Sequence, residues 1–111
     1  MGSIGSIPTV STSGTWSENV EVWDMDEDGP MDLSGVTEIT LKLRDPVYKF
    51  DELVITMTGG DISIPTDGII QWRVEVGQMG TLAPRTYDMI MLLEDGVDTV
   101  PLFLGIVSVV E

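Results

Sequence analysis

The sequence predicts an all-β fold, two antiparallel sheets packed as a sandwich, and three observations carry that prediction. From Trp16 onward the apolar residues recur at every second position, the period of a strand with one buried face. Helical spacing is sustained nowhere. Breaks built from Gly, Pro, Asp and Thr fall every eight to twelve residues or so, the rhythm of short strands joined by tight turns. The 111 residues, 42% of them hydrophobic, suffice for one domain with its own core.

Residues 1–15 hold Gly, Ser, Thr, Ile and Pro8 without any charged side chain. They read as an extended N-terminal arm that docks Ile4, Ile7 and Val10 on a neighbouring subunit, the plain alternative being a flexible tail. Residues 16–111 form the sandwich. Val20 and Val22 alternate before an acidic corner; after it Ile39, Leu41 and Leu43 alternate with Thr40, Lys42 and Arg44. Leu53, Ile55 and Met57 make the next run, which stops at Gly59-Gly60. A short strand over residues 61–64 follows, then residues 69–76 with Ile70, Trp72, Val74 and Val76 on one face. Turn chemistry at Pro65-Thr66-Asp67-Gly68, Gly77-Gln78-Met79-Gly80 and Glu94-Asp95-Gly96 punctuates these runs.

Tyr87, Met89, Met91 and Leu93 share a strand face whose opposite side carries Ile90 and Leu92, so both sides are expected to be covered. In the last run, Val100 to Val110, Pro101 suits an edge or a strand start and Gly105 a bulge. A run so apolar must be central or covered by another subunit, through strand addition in the second case. About seven antiparallel strands at this spacing describe an immunoglobulin-like β-sandwich.

Composition narrows the function. Nineteen acidic residues against five basic ones give a net charge of -14, a field that repels nucleic acid and anionic membranes. Histidine and cysteine are both absent, which removes the usual base near neutral pH and the usual nucleophile pairings. Paired carboxylates could run glycoside chemistry only across a cleft, and here the acids cluster in turns. No enzyme activity and no cofactor are expected. The amino terminus lacks the pattern of a secretory signal, and no apolar run approaches the ~20 residues of a spanning helix. The expectation is a soluble protein made in the cytoplasm.

The acidic corner needs a separate test. Asp24-x-Asp26-x-Asp28-Gly29 matches the opening of the calcium-loop pattern, and Asp32 falls at its ninth position. The twelfth position, which requires a bidentate Glu, is Gly35, and the flanks read as strands instead of helices. Asp24, Asp26, Asp28 and Asp32 are therefore a weak metal candidate, and a solvated turn is the favoured reading. Trp72 belongs to the core, and Tyr87 packs with its hydroxyl bonded to backbone near a corner. Met79, Met89 and Met91 fill core or loop space. Trp16, Trp23 and Phe103 join Ile4, Ile7 and Val10 as candidate interface residues.

Taken in order, Asp28-Gly29-Pro30-Met31-Asp32-Leu33-Ser34-Gly35-Val36-Thr37, Leu43-Arg44-Asp45, Asp67-Gly68-Ile69-Ile70-Gln71-Trp72, Thr86-Tyr87-Asp88, Asp95-Gly96 and Leu104-Gly105-Ile106-Val107-Ser108-Val109 form a series. The series resembles the immunoglobulin-like modules of bacteriophage tail and baseplate proteins, including the N-terminal domain of upper baseplate proteins. It spans nearly everything after Trp16. The resemblance implies a structural protein of the virion, a tail, baseplate or neck adaptor whose partners are other virion proteins and copies of itself. The chain shows no fibre or receptor-binding segment after the module, which favours an adaptor over receptor recognition. A capsid decoration or head-fibre attachment protein, and a calcium- or carbohydrate-binding module, are the alternatives.

Overall fold

The structure is a computed structural model that describes residues 9–24 and 28–111, apart from the side chains of Asp24 and Phe103. In chain order its strands are β1 (Val10–Ser11), β2 (Trp16–Glu21), β3 (Trp23–Asp24), β4 (Gly29–Pro30), β5 (Glu38–Arg44), β6 (Asp51–Thr56), β7 (Ile62–Thr66) and β8 (Ile69–Val74). A single helical turn, α1 (Val76–Met79), precedes β9 (Thr86–Glu94) and β10 (Thr99–Val110). The all-β expectation holds.

Three sheets account for every strand. The larger runs β1-β10-β9-β5-β6, a second runs β2-β8-β7, and β3 pairs with β4 across the acidic corner. Every pairing is antiparallel except that of β1 with β10, where Val10 lies opposite Val109. Alternation in the sequence becomes alternation in burial: in β5, Ile39, Leu41 and Leu43 are buried and the residues between them are half-exposed. The inner faces of both large sheets meet in one apolar core, to which β2 and β8 give Trp16, Val20, Ile70, Trp72 and Val74. Across from them β5, β6, β9 and β10 supply Leu41, Ile55, Met89, Met91 and Val107. Trp16 and Trp72 pack edge to face, ring centroids 5.6 Å apart and planes at 81°, an arrangement the ring quadrupole favours.

The structure corrects several expectations. Trp16, taken as an interface candidate, is only 3% exposed and is a core residue. Trp16 lies on the same parity as the buried Val20 and Val22, so the strand alternation itself places it inward and Trp23 on the opposite face. Val10 is buried against its own chain, paired to β10, so the last part of the expected arm is a strand of this chain's own sheet. Ile4 and Ile7 lie outside the described residues. β8 stops at Val74, and Val76 is exposed because the chain turns into α1, where a turn was expected over Gly77–Gly80. Gln78 closes that turn by accepting the Glu75 backbone N–H at 3.2 Å.

Gly105 holds φ +115 where the β9–β10 register slips between Phe103 and Gly105, the bulge expected from the sequence. Ile90 and Leu92 are half-buried, less covered than expected. Gly68 fixes the entry to β8. Its φ is +85, and a Cβ there would lie 2.5 Å from the Cβ of Pro30, so only glycine fits.

Candidate functional site

Antiparallel pairing places the loops at two poles. β5 runs from Glu38, opposite Glu94, to Arg44, opposite Asp88, a span of ~20 Å at the rise of an extended strand. Residues 28–37, 67–68 and 95–98 gather at the first pole, and the 45–50 turn and the connection before β9 lie at the second.

The second pole carries the clearest built feature. Sequence puts Asp45 immediately after β5, followed by Pro46, whose ring cannot continue the ladder. The Asp45 side chain folds under the turn, where it is only 4% exposed. Its Oδ1 accepts the backbone N–H of Val47 at 2.8 Å and of Tyr48 at 2.9 Å. The turn closes through the backbone: Lys49 N–H donates to the Asp45 carbonyl and Asp45 N–H to the Phe50 carbonyl, both at 2.9 Å. Lys49 takes the left-handed conformation, φ +63, to make this reversal. Arg85 donates from Nη1 to Asp45 Oδ2 at 2.6 Å, and its own backbone is tied to β10, since Val109 N–H donates to the Arg85 carbonyl.

These contacts set the charge of Asp45. The N–H donors of Tyr48 and Val47 hold its carboxyl below the usual carboxylate value, loss of solvent opposes them, and Arg85 reinforces them. The fixed turn turns its large apolar side chains outward: Val47 is 75%, Tyr48 71% and Phe50 67% exposed. Three neighbouring apolar side chains on a clamped backbone form a preorganised contact surface, since little order remains to be imposed on binding. Arg44, Lys49 and Arg85 border it, three of the five basic residues in the chain. Beside the turn, Tyr87 donates its hydroxyl to the Ala83 carbonyl at 2.7 Å, the expected corner bond.

At the first pole the acidic groups serve turn geometry. Asp32 Oδ1 accepts the Ser34 N–H at 2.9 Å, Asp67 Oδ1 the Leu33 N–H at 2.7 Å, and Asp95 Oδ1 the N–H groups of Val97 and Asp98. Glu38 accepts from the Thr58 hydroxyl and from the Thr58 and Ile39 N–H groups. Hydrogen bonds from Ser34, Thr58 and Asp98 come first in holding Asp32, Glu38 and Asp95 below their usual values. Among the described residues no three carboxylates gather to hold a metal ion. Asp28 is exposed with φ +51. Asp24 pairs with Gly29 through its backbone, its side chain is outside the described set, and Asp26 is outside the described residues.

The other interface candidates do not converge. Trp23 is half-buried opposite Pro30, and Phe103 sits opposite Ile90 in the β9–β10 ladder with its side chain outside the described set. Sequence reasoning missed Val47, Tyr48 and Phe50. The signal was present: three large apolar residues in four positions after an Asp-Pro turn break the alternation on both sides.

No protein-family model matches this chain, and neither does any curated protein. Among solved structures, the endo-β-1,4-mannanase from Thermotoga petrophila is similar in fold, with a TM-score of 0.59 at 13% identity. The match covers all of this chain and 20% of the mannanase, so the chain spans about a fifth of that enzyme's length. At this identity the likeness speaks to fold alone.

Proposed function

We propose that this chain is a non-catalytic, immunoglobulin-like structural module of a tailed-phage virion, an adaptor at the tail, baseplate or neck that holds other virion proteins together. The observation that carries the reading is the clamped 45–50 turn, because a buried carboxylate spends its bonds on presenting Val47, Tyr48 and Phe50 to a partner. Exposed aromatic side chains on a rigid support are what protein interfaces use as anchors.

Three further features support it. The strand order β1-β10-β9-β5-β6 against β2-β8-β7 corresponds to the A′GFCC′ and BED sheets of an immunoglobulin-like sandwich. The Tyr87–Ala83 bond stands where such folds place a tyrosine corner. Among the described residues, β10 pairs on its outer side only through Val109 and Val110, which leaves the edge from Thr99 toward Ser108 open to strand addition.

The test is location. Antibody raised against the chain, used for immunogold electron microscopy on particles from cells that carry its gene, is expected to decorate one fixed site of the particle. Recovery of the chain only from the particle-free fraction contradicts the proposal. The exposed aromatic side chains support a second reading, a glycan-binding module in which Tyr48 and Phe50 stack on sugar rings. Retardation in a mannan-containing native gel that is lost in a Tyr48→Ser/Phe50→Ser variant would move the assignment there.

A further inference from the structure

The first pole contains an apolar groove of about 380 Å³ between the residues leading into β5 and the ends of β9 and β10. Met31, Val36, Leu93 and Val100 supply its apolar surface, and Asp32, Glu94 and Asp95 stand around it. Its size lies at the lower end of the ~300–1,000 Å³ of clefts that hold compact ligands, so it suits one inserted apolar side chain and not a helix. A smaller depression of about 170 Å³ shares Glu94 with it and brings Glu38 and Asp98 to the same surface.

The charge of this pole finds no counterpart within the chain. Across residues 28–38, 67–68 and 94–98 there are seven acidic residues and no Lys or Arg. All five basic residues are paired elsewhere: Lys42 and Arg44 with Asp51, Lys49 with Asp88, Arg73 with Glu75, and Arg85 with Asp45. None of those acids belongs to the first pole, and a second copy would bring only cations that are already committed. The complementary charge has to come from a different molecule. The backbone beside the groove adds an independent feature. Val100 lines the groove and also belongs to β10, whose outer edge among the described residues is paired only at Val109 and Val110. An extended peptide carries the N–H and C=O groups that such an edge accepts, with Pro101 the position there that lacks a donor, whereas a small amine carries none in series.

We propose that the first pole docks a basic segment of a partner protein, an extended stretch whose one large apolar side chain fills the groove while flanking Lys or Arg side chains meet Asp32, Glu38, Glu94 and Asp95. Burial of the anchor supplies the attraction, and the uncompensated carboxylates select the sign of the partner's charge and steer its approach. These carboxylates lie at the surface, so each ion pair adds little and the electrostatic share weakens as salt shortens the Debye length from ~8 Å at physiological ionic strength. The small area places the contact among weak ones, strengthened when the partner is held nearby by another attachment. This goes beyond the function proposed above, which rests on the 45–50 turn at the opposite end of β5. Either surface can fail its test while the other stands.

The experiment is a ¹H–¹⁵N NMR titration of the full chain with three capped peptides, each taken to about 5 mM, which covers Kd values up to about 1 mM. Lys-Lys-Phe-Lys-Lys carries both the anchor and the charge, Lys-Lys-Ser-Lys-Lys lacks the anchor, and Glu-Glu-Phe-Glu-Glu reverses the charge. The first is expected to give saturable shifts at the amides of Gly35, Val36, Glu94, Asp95 and Val100, and to bind several-fold more weakly in 0.5 M NaCl, about the range where the Debye length has halved. The second is expected to bind about tenfold more weakly and the third not to bind. Val100→Arg, at a groove position 48% exposed, should abolish the shifts. Glu94→Gln, nearly the same shape, should weaken binding several-fold and keeps the test alive if Val100→Arg fails to fold. Absence of saturable groove shifts with Lys-Lys-Phe-Lys-Lys overturns the proposal. So does equal binding of the peptide without the anchor or with reversed charge, or binding by both variants at wild-type strength. Groove shifts that grow with the concentration of the chain alone would assign the surface to a second copy and overturn it as well.

Discussion

Replacement of Gly68 by alanine tests whether the acidic connection is pinned to the sandwich as described. The backbone there has φ +85, which costs an L-residue about 1–2 kcal/mol. The new Cβ would also lie 2.5 Å from Pro30 Cβ and 3.5 Å from Pro30 Cα, against an optimal carbon separation of about 3.5–4.0 Å, and such overpacking costs about 1–3 kcal/mol. The sum is about 3 kcal/mol. With ~2.1 cal/mol/K of unfolding entropy per residue over 111 residues, that lowers Tm by roughly 13 °C. Two controls isolate the steric part. Gly60 has φ +91 but nothing within 4 Å of a new Cβ, so Gly60→Ala should lose only the backbone share, about 1–2 kcal/mol. Gly35 has open space and no positive φ, so Gly35→Ala should stay within about 1 kcal/mol of wild type, on the stabilising side. Urea unfolding followed by tryptophan fluorescence reads all three, with Trp16 and Trp72 in the core as reporters. Equal losses in Gly68→Ala and Gly60→Ala would refute the claim that Pro30 rests on Gly68.

The remaining predictions concern the second pole and the acidic groups. Tyr87→Phe removes the bond to the Ala83 carbonyl and should cost about 1 kcal/mol in the same urea assay, a neutral result denying the bond any structural role. The folded-state pKa of Asp45 is depressed below its unfolded value near 3.8, so its ionised form adds stability above that pH and the contribution is lost as pH falls through the folded value. Asp45→Asn should therefore lower the urea midpoint at pH 7 and flatten its decline between about pH 5 and pH 2, whereas an unchanged acid slope would mean that Asp45 titrates alike in both states. Millimolar calcium should leave Tm unchanged, because among the described residues no three carboxylates gather and Asp32 and Asp95 are engaged in their own turns; a rise of several degrees at about 10 mM would establish a folded-state metal site.

The strands were the legible part of this chain. Alternation at Ile39-Leu41-Leu43 and at Ile70-Trp72-Val74 predicts burial position by position, because a half-buried strand forces a period of two. Gly105 was legible as a bulge and Tyr87 as a corner residue because each answers a local backbone requirement. The burial of Trp16 was legible as well, since it shares the parity of Val20 and Val22, and its reading as an interface residue ran against that alternation. Val10 was misplaced because the parallel pairing of β1 with β10 joins residues about a hundred positions apart, which no local pattern encodes. The site was the least legible element. Asp45 reads as an ordinary turn residue until Arg85, forty positions later, is found beside it, and only the fold brings those two together. The acidic corner attracts attention through its charge, yet Asp32 there caps its own turn through the Ser34 N–H, and Asp67 from the neighbouring loop holds the Leu33 N–H.

Residues 45–50 form a fixed platform and not a loose loop, and backbone ¹⁵N relaxation with amide exchange reads that rigidity residue by residue. Order parameters near 0.85 are expected for Val47, Tyr48 and Lys49, with slowed exchange of all three amides, since each donates to Asp45. The protection of Val47 and Tyr48 should fall in Asp45→Asn, while that of Lys49, which donates to the backbone carbonyl, should persist longer. Order parameters below about 0.6 with unprotected exchange in the wild-type protein would contradict the claim.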